Sequence, residues 1–488
     1  MRFVVITRVI FCTAGLLGCS PPAVNPPVVK MTDAQFDKQH KTYTAMCANC
    51  HGTDWIGGLG GALVGGRWRR GGAPDEIFHS ISAGYPDSGM PSFKRALSEA
   101  DIRQLVDYLY VAGQRHDHAQ LRKVETKPDR VMQAGGEEFQ LETVAAGFTT
   151  PWSMAWLPDG RMLVTERTGA LRSVGLDGQI SKPVKGTPEV FAQGQGGLLD
   201  VAVHPQHAEN GWIYLCFSQP RKQGEDTVAF TAIERARLEN GQWVASEIVY
   251  QVPDAFHTDS QRHWGCKLAF DASNHLHFGI GDRGEGENAQ NLAHPAGKIH
   301  RINDDGTIPS DNPFVDQPDA LPSIWAYGVR NPQGLTLDSK DMLWETEHGP
   351  RGGDEFNRIE PGLNYGWALV SRGVNYDFSK PEWKKTAPGM QEALHSWTPS
   401  IGTSGLAYYA GDAFASWRGG FLAGGLVGEQ LDLIRINDAG SASHETLLKG
   451  LGRIRDVRVG PDGFIYLALN YTSRDDADKI VRLRPLGN

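Results

Sequence analysis

At 488 residues the chain has room for two or three domains. Its 40% apolar content, 22% charged content and 58 glycines scattered among short apolar runs indicate a turn-rich, mostly β protein. The formal charge of −9 is mildly acidic and gives no footprint for nucleic acid; the one short basic cluster, Arg67-Trp68-Arg69-Arg70, reads as a solvated face. At the N-terminus, Arg2 and Arg8 precede an uncharged stretch from Val9 to Leu17. That stretch is too short to span a bilayer as a helix, and residues 1–19 read as a secretory signal.

The signal ends in Leu16-Leu17-Gly18-Cys19, which resembles the lipobox of bacterial lipoproteins. The resemblance implies that Cys19 carries lipid and becomes the first mature residue; the alternative is an ordinary cleaved signal with an incidental Cys19. Ser20 after Cys19, rather than Asp, resembles lipoproteins sent to the outer membrane. The expectation is a protein of the cell envelope, held by lipid and facing the periplasm. Residues 20–30, with four prolines and no periodicity, read as a tether.

Residues 31–115 carry helical signals. Thr32-Asp33 opens a stretch running into Cys47, and Ser98 with Asp101 three residues on predicts a capping box. Ile102, Leu105, Val106 and Leu109 then recur at helical spacing, with Gly113 as the expected stop. Between them, Cys47-Ala48-Asn49-Cys50-His51 reads as covalent haem attachment, because both thioether bonds and the proximal ligand His51 must come from one helical turn. A thioredoxin-like dithiol lacks its βαβ context here, and a zinc site lacks a second cysteine pair. Met90, in Gly89-Met90-Pro91-Ser92-Phe93, resembles the distal-ligand loop of class I cytochromes c; the alternative is a packing methionine. The resemblance implies a haem c with His51 and Met90 on the iron, suited to electron transfer. Of the remaining cysteines, Cys216 lies in the apolar run from Trp212 to Phe217 and is expected to be a buried thiol; the alternative is a bridge to Cys266, which a periplasmic location would permit.

Residues 116–138 are polar and read as a linker. Over 139–488, apolar runs repeatedly end in a Pro-Asp-Gly-like turn: Pro158-Asp159-Gly160, His204-Pro205, Asp271-Ala272-Ser273, Asp338-Ser339, a degenerate copy near Tyr408-Tyr409, and Pro461-Asp462-Gly463. Six copies at intervals of about 45–70 residues predict a six-bladed β-propeller, since each interval fits a four-stranded blade with its loops. A β-sandwich does not absorb about 350 residues in one domain. The expected fold is multidomain: a small all-α cytochrome c domain and an all-β six-bladed propeller.

The propeller region carries Gly194-Gln195-Gly196-Gly197-Leu198-Leu199-Asp200, His263-Trp264-Gly265, Gly281-Asp282, and Gly328-Val329-Arg330-Asn331-Pro332-Gln333-Gly334. Glu347-His348-Gly349-Pro350-Arg351-Gly352-Gly353-Asp354-Glu355, Asn364-Tyr365-Gly366-Trp367 and Arg453-Ile454-Arg455-Asp456-Val457 follow. In this order they resemble the soluble aldose sugar dehydrogenases that use pyrroloquinoline quinone (PQQ), of the glucose/sorbosone dehydrogenase family, across 140–487. Chemically, oxidation of an anomeric hydroxyl requires removal of a proton and a hydride, and an imidazole such as His263 titrates in the useful range.

The resemblance implies the remaining roles. Asp282 buttresses His263, Arg330 stabilises charge developing on the quinone, and Gln195 lies near substrate and quinone. Asn331 and His348 contact PQQ. Arg453 and Arg455, alternating on one strand and so sharing a face, grip its carboxylates. Backbone carbonyls of Gly349 and Pro350 bind a calcium ion. Two positions depart from the family: Val427 stands where a PQQ-contacting lysine is common, removing one positive charge, and Cys266-Lys267 replaces Gly-Arg after the base.

The reading is a PQQ- and calcium-dependent oxidation of an aldose to its lactone, with electrons passed to the haem and on to a respiratory acceptor. Two alternatives stay open: a PQQ dehydrogenase for sorbosone or a polyol, and a non-catalytic propeller binding module.

Overall fold

The structure, a computed structural model, describes residues 29, 31–51, 55, 63, 71–85, 90–115, 130–375, 383–470 and 477–486. Cys19, with the rest of the signal and most of the tether, lies outside the described residues.

The N-terminal region is helical. Helix α1 (Asp33–Met46) starts at Thr32, whose hydroxyl accepts from the Gln35 N–H while the Gln35 side chain accepts from the Thr32 N–H. Helices α2 (Ala48–His51), α3 (Pro74–Ala83) and α4 (Glu99–Arg115) follow. Ser98 and Asp101 form the predicted reciprocal cap of α4. Its predicted apolar face, Ile102, Leu105, Val106 and Leu109, packs with Tyr43, Trp55, Phe93 and Tyr108. The helix does not stop at Gly113: open space surrounds that residue, and the α-turn runs two residues further.

The rest of the chain forms six sheets. Blade 1 has three strands within 151–174, and blades 2 to 5 have four each, within 198–250, 268–327, 332–397 and 403–449. Blade 6 combines Arg453–Val459, Ile465–Asn470 and Asp478–Pro485 with Glu137–Phe148 and Arg130–Ala134 from the start of the region. Leu141 pairs with Leu483, so strands from both ends of the domain close the ring. The repeated turn has a common cause: Asp159, Asp271, Asp338 and Asp462 each accept, through Oδ1, the backbone N–H two residues on, and so turn the first hairpin of their blades.

Two expectations need correction here. The linker gives way earlier, because 130–134 and 137–148 form a hairpin around Gly135-Gly136, both at positive φ. As the outermost strand of a blade it carries little apolar signal. Second, Cys216 is not a free thiol: it forms a disulfide with Cys266, with Cα atoms 5.8 Å apart. The pairing is invisible in sequence because packing of blade 2 on blade 3 brings the two together across 50 residues. Loop closure of that length is worth about 2–4 kcal/mol. The Cys216→Ala/Cys266→Ala variant is therefore expected to show that loss in guanidinium unfolding, and an unchanged midpoint would refute a stabilising role.

The innermost strands of blades 1, 2, 4, 5 and 6 each carry a β-bulge near their first residues. Bulges re-aim side chains, and the residues beside them, including Trp152, Gln333 and Arg455, belong to the site described next. Below them lies a buried ion network. Lys267 reaches Asp456 (2.7 Å) and Asp200 (3.3 Å), and Arg458 reaches the same pair at 3.0 and 2.8 Å. Asp456 also accepts the Met154 N–H and Asp200 the Leu268 N–H, tying blades 1, 2, 3 and 6 together.

Candidate functional site

The site is built from loops entering the innermost strands. His263, Gly265 and Cys266, just before blade 3, all have positive φ (49°, 63° and 78°). Such backbone persists only where its surroundings over-determine it. The His263 N–H donates to Gln195 Oε1 (2.8 Å), the Gly265 N–H to Asn331 Oδ1 (3.2 Å) and the Cys266 N–H to the Gly279 carbonyl (2.6 Å). Arg283 donates to the carbonyls of Ser260 and Arg262 and stacks its guanidinium 3.4 Å from the Trp264 ring centroid. Gly281 passes directly beneath: a Cβ there would lie 2.2 Å from the His263 carbonyl oxygen, so only glycine fits.

His263 Nδ1 lies 2.5 Å from Asp282 Oδ1, and Asp282 is 1% exposed. Burial lowers the imidazole pKa, aided by the Arg330 charge and opposed by Asp282. Burial alone would raise the Asp282 carboxyl, but His263 and Arg330 outweigh it and hold the pKa at about 2. The result is an ionised carboxylate against a neutral imidazole, the arrangement of an oriented proton acceptor.

Arg330 donates from Nη1 to the carbonyls of His348 (3.1 Å) and Gly349 (3.0 Å). His348 Nε2 donates to the Thr403 carbonyl at 2.6 Å and Nδ1 faces Asn331 Nδ2 at 3.2 Å, which fixes a neutral tautomer. Burial, with Arg330 and Arg455 nearby, lowers the His348 pKa to about 3 in agreement.

Arg453 and Arg455 do not alternate cleanly, because the strand bulges between Ile454 and Asp456. The two charges still act on one another, and burial lowers both, Arg453 to about 10. Among the described residues neither guanidinium has a carboxylate in ion-pair distance; Arg453 meets only the Leu426 carbonyl (3.5 Å), and Arg455 meets Gln333 (3.4 Å) and the Trp152 ring (4.0 Å). Glu429 and Asp456 act on them only at longer range, and two buried cations with no direct ion pair among the described residues fit a ligand bearing several carboxylates. Val427 lies next to Leu426 and donates its N–H to the Ile401 carbonyl.

Among the described residues no group of three or more His, Cys, Asp or Glu side chains is placed to hold a metal ion. The Gly349 carbonyl oxygen faces the same site as Arg330, and oxygen donors of this kind suit calcium. Sequence reasoning missed Trp367, Arg283, Gln333 and Trp152. Trp367 closes the Asn364-Tyr365-Gly366-Trp367 motif, and its Nε1 donates to Asp282 Oδ2 at 2.6 Å. Gln195 was placed near substrate and quinone; its side-chain oxygen here holds the base loop.

In the helical region, Cys47 and Cys50 are free thiols. The N–H groups of Cys50 and His51 both donate to the Cys47 carbonyl, so the three residues share one helical turn as haem attachment needs. Met90 and Cys47 edge the same apolar core, and Met90 is fixed by paired backbone bonds with Tyr85. Burial raises both thiols, and the Arg351 charge opposes this at both and the Arg453 charge at Cys50.

Residues 148–481 match the family model Glucose / Sorbosone dehydrogenase, and residues 34–109 match Cytochrome C oxidase, cbb3-type, subunit III. Aldose sugar dehydrogenase YliI of Escherichia coli (strain K12) is 38% identical over 331 residues, covering 66% of this chain and 88% of the relative. The soluble aldose sugar dehydrogenase of Escherichia coli in its apo form superposes with a TM-score of 0.66 at 34% identity, over 71% of this chain and 100% of that one. The PQQ-bound aldose sugar dehydrogenase of Streptomyces coelicolor gives 0.57 at 29% identity, over 71% and 98%.

Proposed function

This chain belongs to the glucose/sorbosone dehydrogenase family and carries a cytochrome c-type domain ahead of the propeller; from that premise we propose that it oxidises an aldose to its lactone, with PQQ as hydride acceptor and haem c next in line. The observation that carries the reading is the His263–Asp282 pair together with buried Arg453 and Arg455, neither of which has a carboxylate in ion-pair distance among the described residues. His263, through Nε2, takes the proton of the sugar's anomeric hydroxyl as the hydride leaves the same carbon. Asp282 holds Nδ1 and balances the imidazolium that forms. Arg330 places a fixed positive charge where negative charge develops. Arg453, Arg455, His348 and Asn331 would hold PQQ, Gly349 and Pro350 calcium, and Cys47, Cys50, His51 and Met90 the haem. When bound, these groups supply a two-electron acceptor, a Lewis acid and a one-electron carrier.

Transfer to the haem is supported by the charges of Arg351 and Arg453, propeller residues that act on the haem-attachment thiols. Lipidation of Cys19 would keep the protein on the periplasmic side of an envelope membrane, with a respiratory partner as the final acceptor. The test uses haem-loaded protein with calcium and PQQ and a panel of aldoses, followed by the visible spectrum of the haem. Haem reduction that needs both PQQ and sugar is expected. Dye reduction without haem reduction would remove the internal transfer, and no reduction with any aldose would remove the sugar reading.

A further inference from the structure

The two oxygens of Asp282 have different partners. Oδ1 faces His263; Oδ2 accepts the indole N–H of Trp367, a residue 85 positions further along the chain, in the loop after the third strand of blade 4. Trp367 is itself fixed. Its backbone N–H donates to the Gly328 carbonyl (2.9 Å), its carbonyl accepts from Gln290 Nε2 (2.5 Å), and its ring packs on Trp383 with centroids 5.2 Å apart. The Arg330 guanidinium lies 5.2 Å from the centroid of the same ring. One indole thus touches both the carboxylate that serves His263 and the cation opposite it.

We propose that Trp367 is a positioning residue, which through its N–H sets the orientation of Asp282 and so the aim of His263 at the substrate hydroxyl. The inference rests on His263 being the base. A carboxylate as buried as Asp282 needs both oxygens satisfied. Without the indole N–H it turns toward other donors or presents more negative charge to the imidazole. The groups facing His263 are Asp282, Arg330, Arg283 and His348. None of these is replaced in Trp367→Phe, and benzothienylalanine at 367, which keeps the bicyclic ring against Arg330 and lacks only the N–H, separates the lost hydrogen bond from any change at Arg330.

The experiment measures dye-linked kcat against pH for PQQ- and calcium-loaded holoprotein. In Trp367→Phe, kcat is expected to fall about tenfold, the lower end of what a hydrogen bond to a charged group carries. The acid limb is expected to move to higher pH, because Asp282 then favours the imidazolium more strongly, and the PQQ affinity stays as in the wild type. In an Asp282→Ala background, which leaves no acceptor for the indole N–H, the same substitution is expected to cost less than about twofold. An unmoved acid limb, or equal costs in both backgrounds, overturns the proposal. If Trp367→Phe does not fold, benzothienylalanine at position 367 gives the indole shape without its N–H and the same criteria apply. If the wild type with bound PQQ oxidises no aldose, the functional reading fails instead. The role of Trp367 is then decided by NMR titration of His263, which is expected to move upward in Trp367→Phe and overturns the proposal if it does not.

Discussion

His263→Ala is expected to lower kcat by about 10²–10⁴-fold, the range that a positioned proton acceptor contributes, while PQQ still binds. The methyl group cannot take the proton, whereas Arg330, Arg453 and Arg455 keep their places. The loop survives the change because it is held by backbone bonds to Gln195, Asn331 and Gly279 and by the disulfide, none of which uses the imidazole. The pH profile gives the sign. His263 works as the neutral base, and burial with the Arg330 charge lowers its pKa. The rate therefore holds as pH falls past the ordinary imidazole value of about 6.5 and drops only below it. In His263→Ala that acid limb disappears. Steady-state kinetics from pH 4 upward, with quinone fluorescence for binding, check both statements. An acid limb at or above the ordinary value, or activity retained by the variant, excludes His263 as the base.

Lys267→Met is expected to destabilise the propeller by about 3–5 kcal/mol, the usual cost of removing one partner from a buried ion pair. In the wild type two cations, Lys267 and Arg458, meet two carboxylates, Asp200 and Asp456, with all but Arg458 almost fully buried. Removing Lys267 leaves an uncompensated buried negative charge shared by four blades. Burial raises Asp456, but Arg458 and Lys267 overcome this and lower its pKa. Its contribution is therefore full above the unfolded carboxylate value of about 3.9 and is lost as pH falls through the lower folded value. Guanidinium unfolding at neutral pH measures the loss, and the difference from wild type should shrink below pH 4. A change under about 1 kcal/mol would show that the network does not support the ring. Lys267 lies four residues after His263, so this variant also tests how far the base loop depends on the network beneath it.

Much of the protein is legible in the chain. The Ser98–Asp101 cap and the apolar face of α4 are local patterns, governed by one or two helical turns, and they stand as read. The blades are legible for the same reason: in four of the six the first hairpin is turned by an Asp that accepts the N–H two residues on, and in blade 2 His204 accepts the Gln206 N–H instead, so a related turn signal repeats in the sequence. His263 and Asp282 are carried by motifs whose residue types fit the chemistry, and their 2.5 Å contact joins positions 19 residues apart. What the tertiary structure alone decides is long-range. Cys216 meets Cys266 because blade 2 packs on blade 3. Trp367 reaches Asp282 because the loop between the third and fourth strands of blade 4 lies beside the Asp282 turn of blade 3. Residues 130–134 become a strand because the ring needs an outer edge at its closure. A bulge, not strand alternation, aims Arg455. Local patterns report the φ, ψ and burial that each residue prefers. Which distant groups become neighbours is set by the closure of the ring, and a single sequence does not encode that as a pattern.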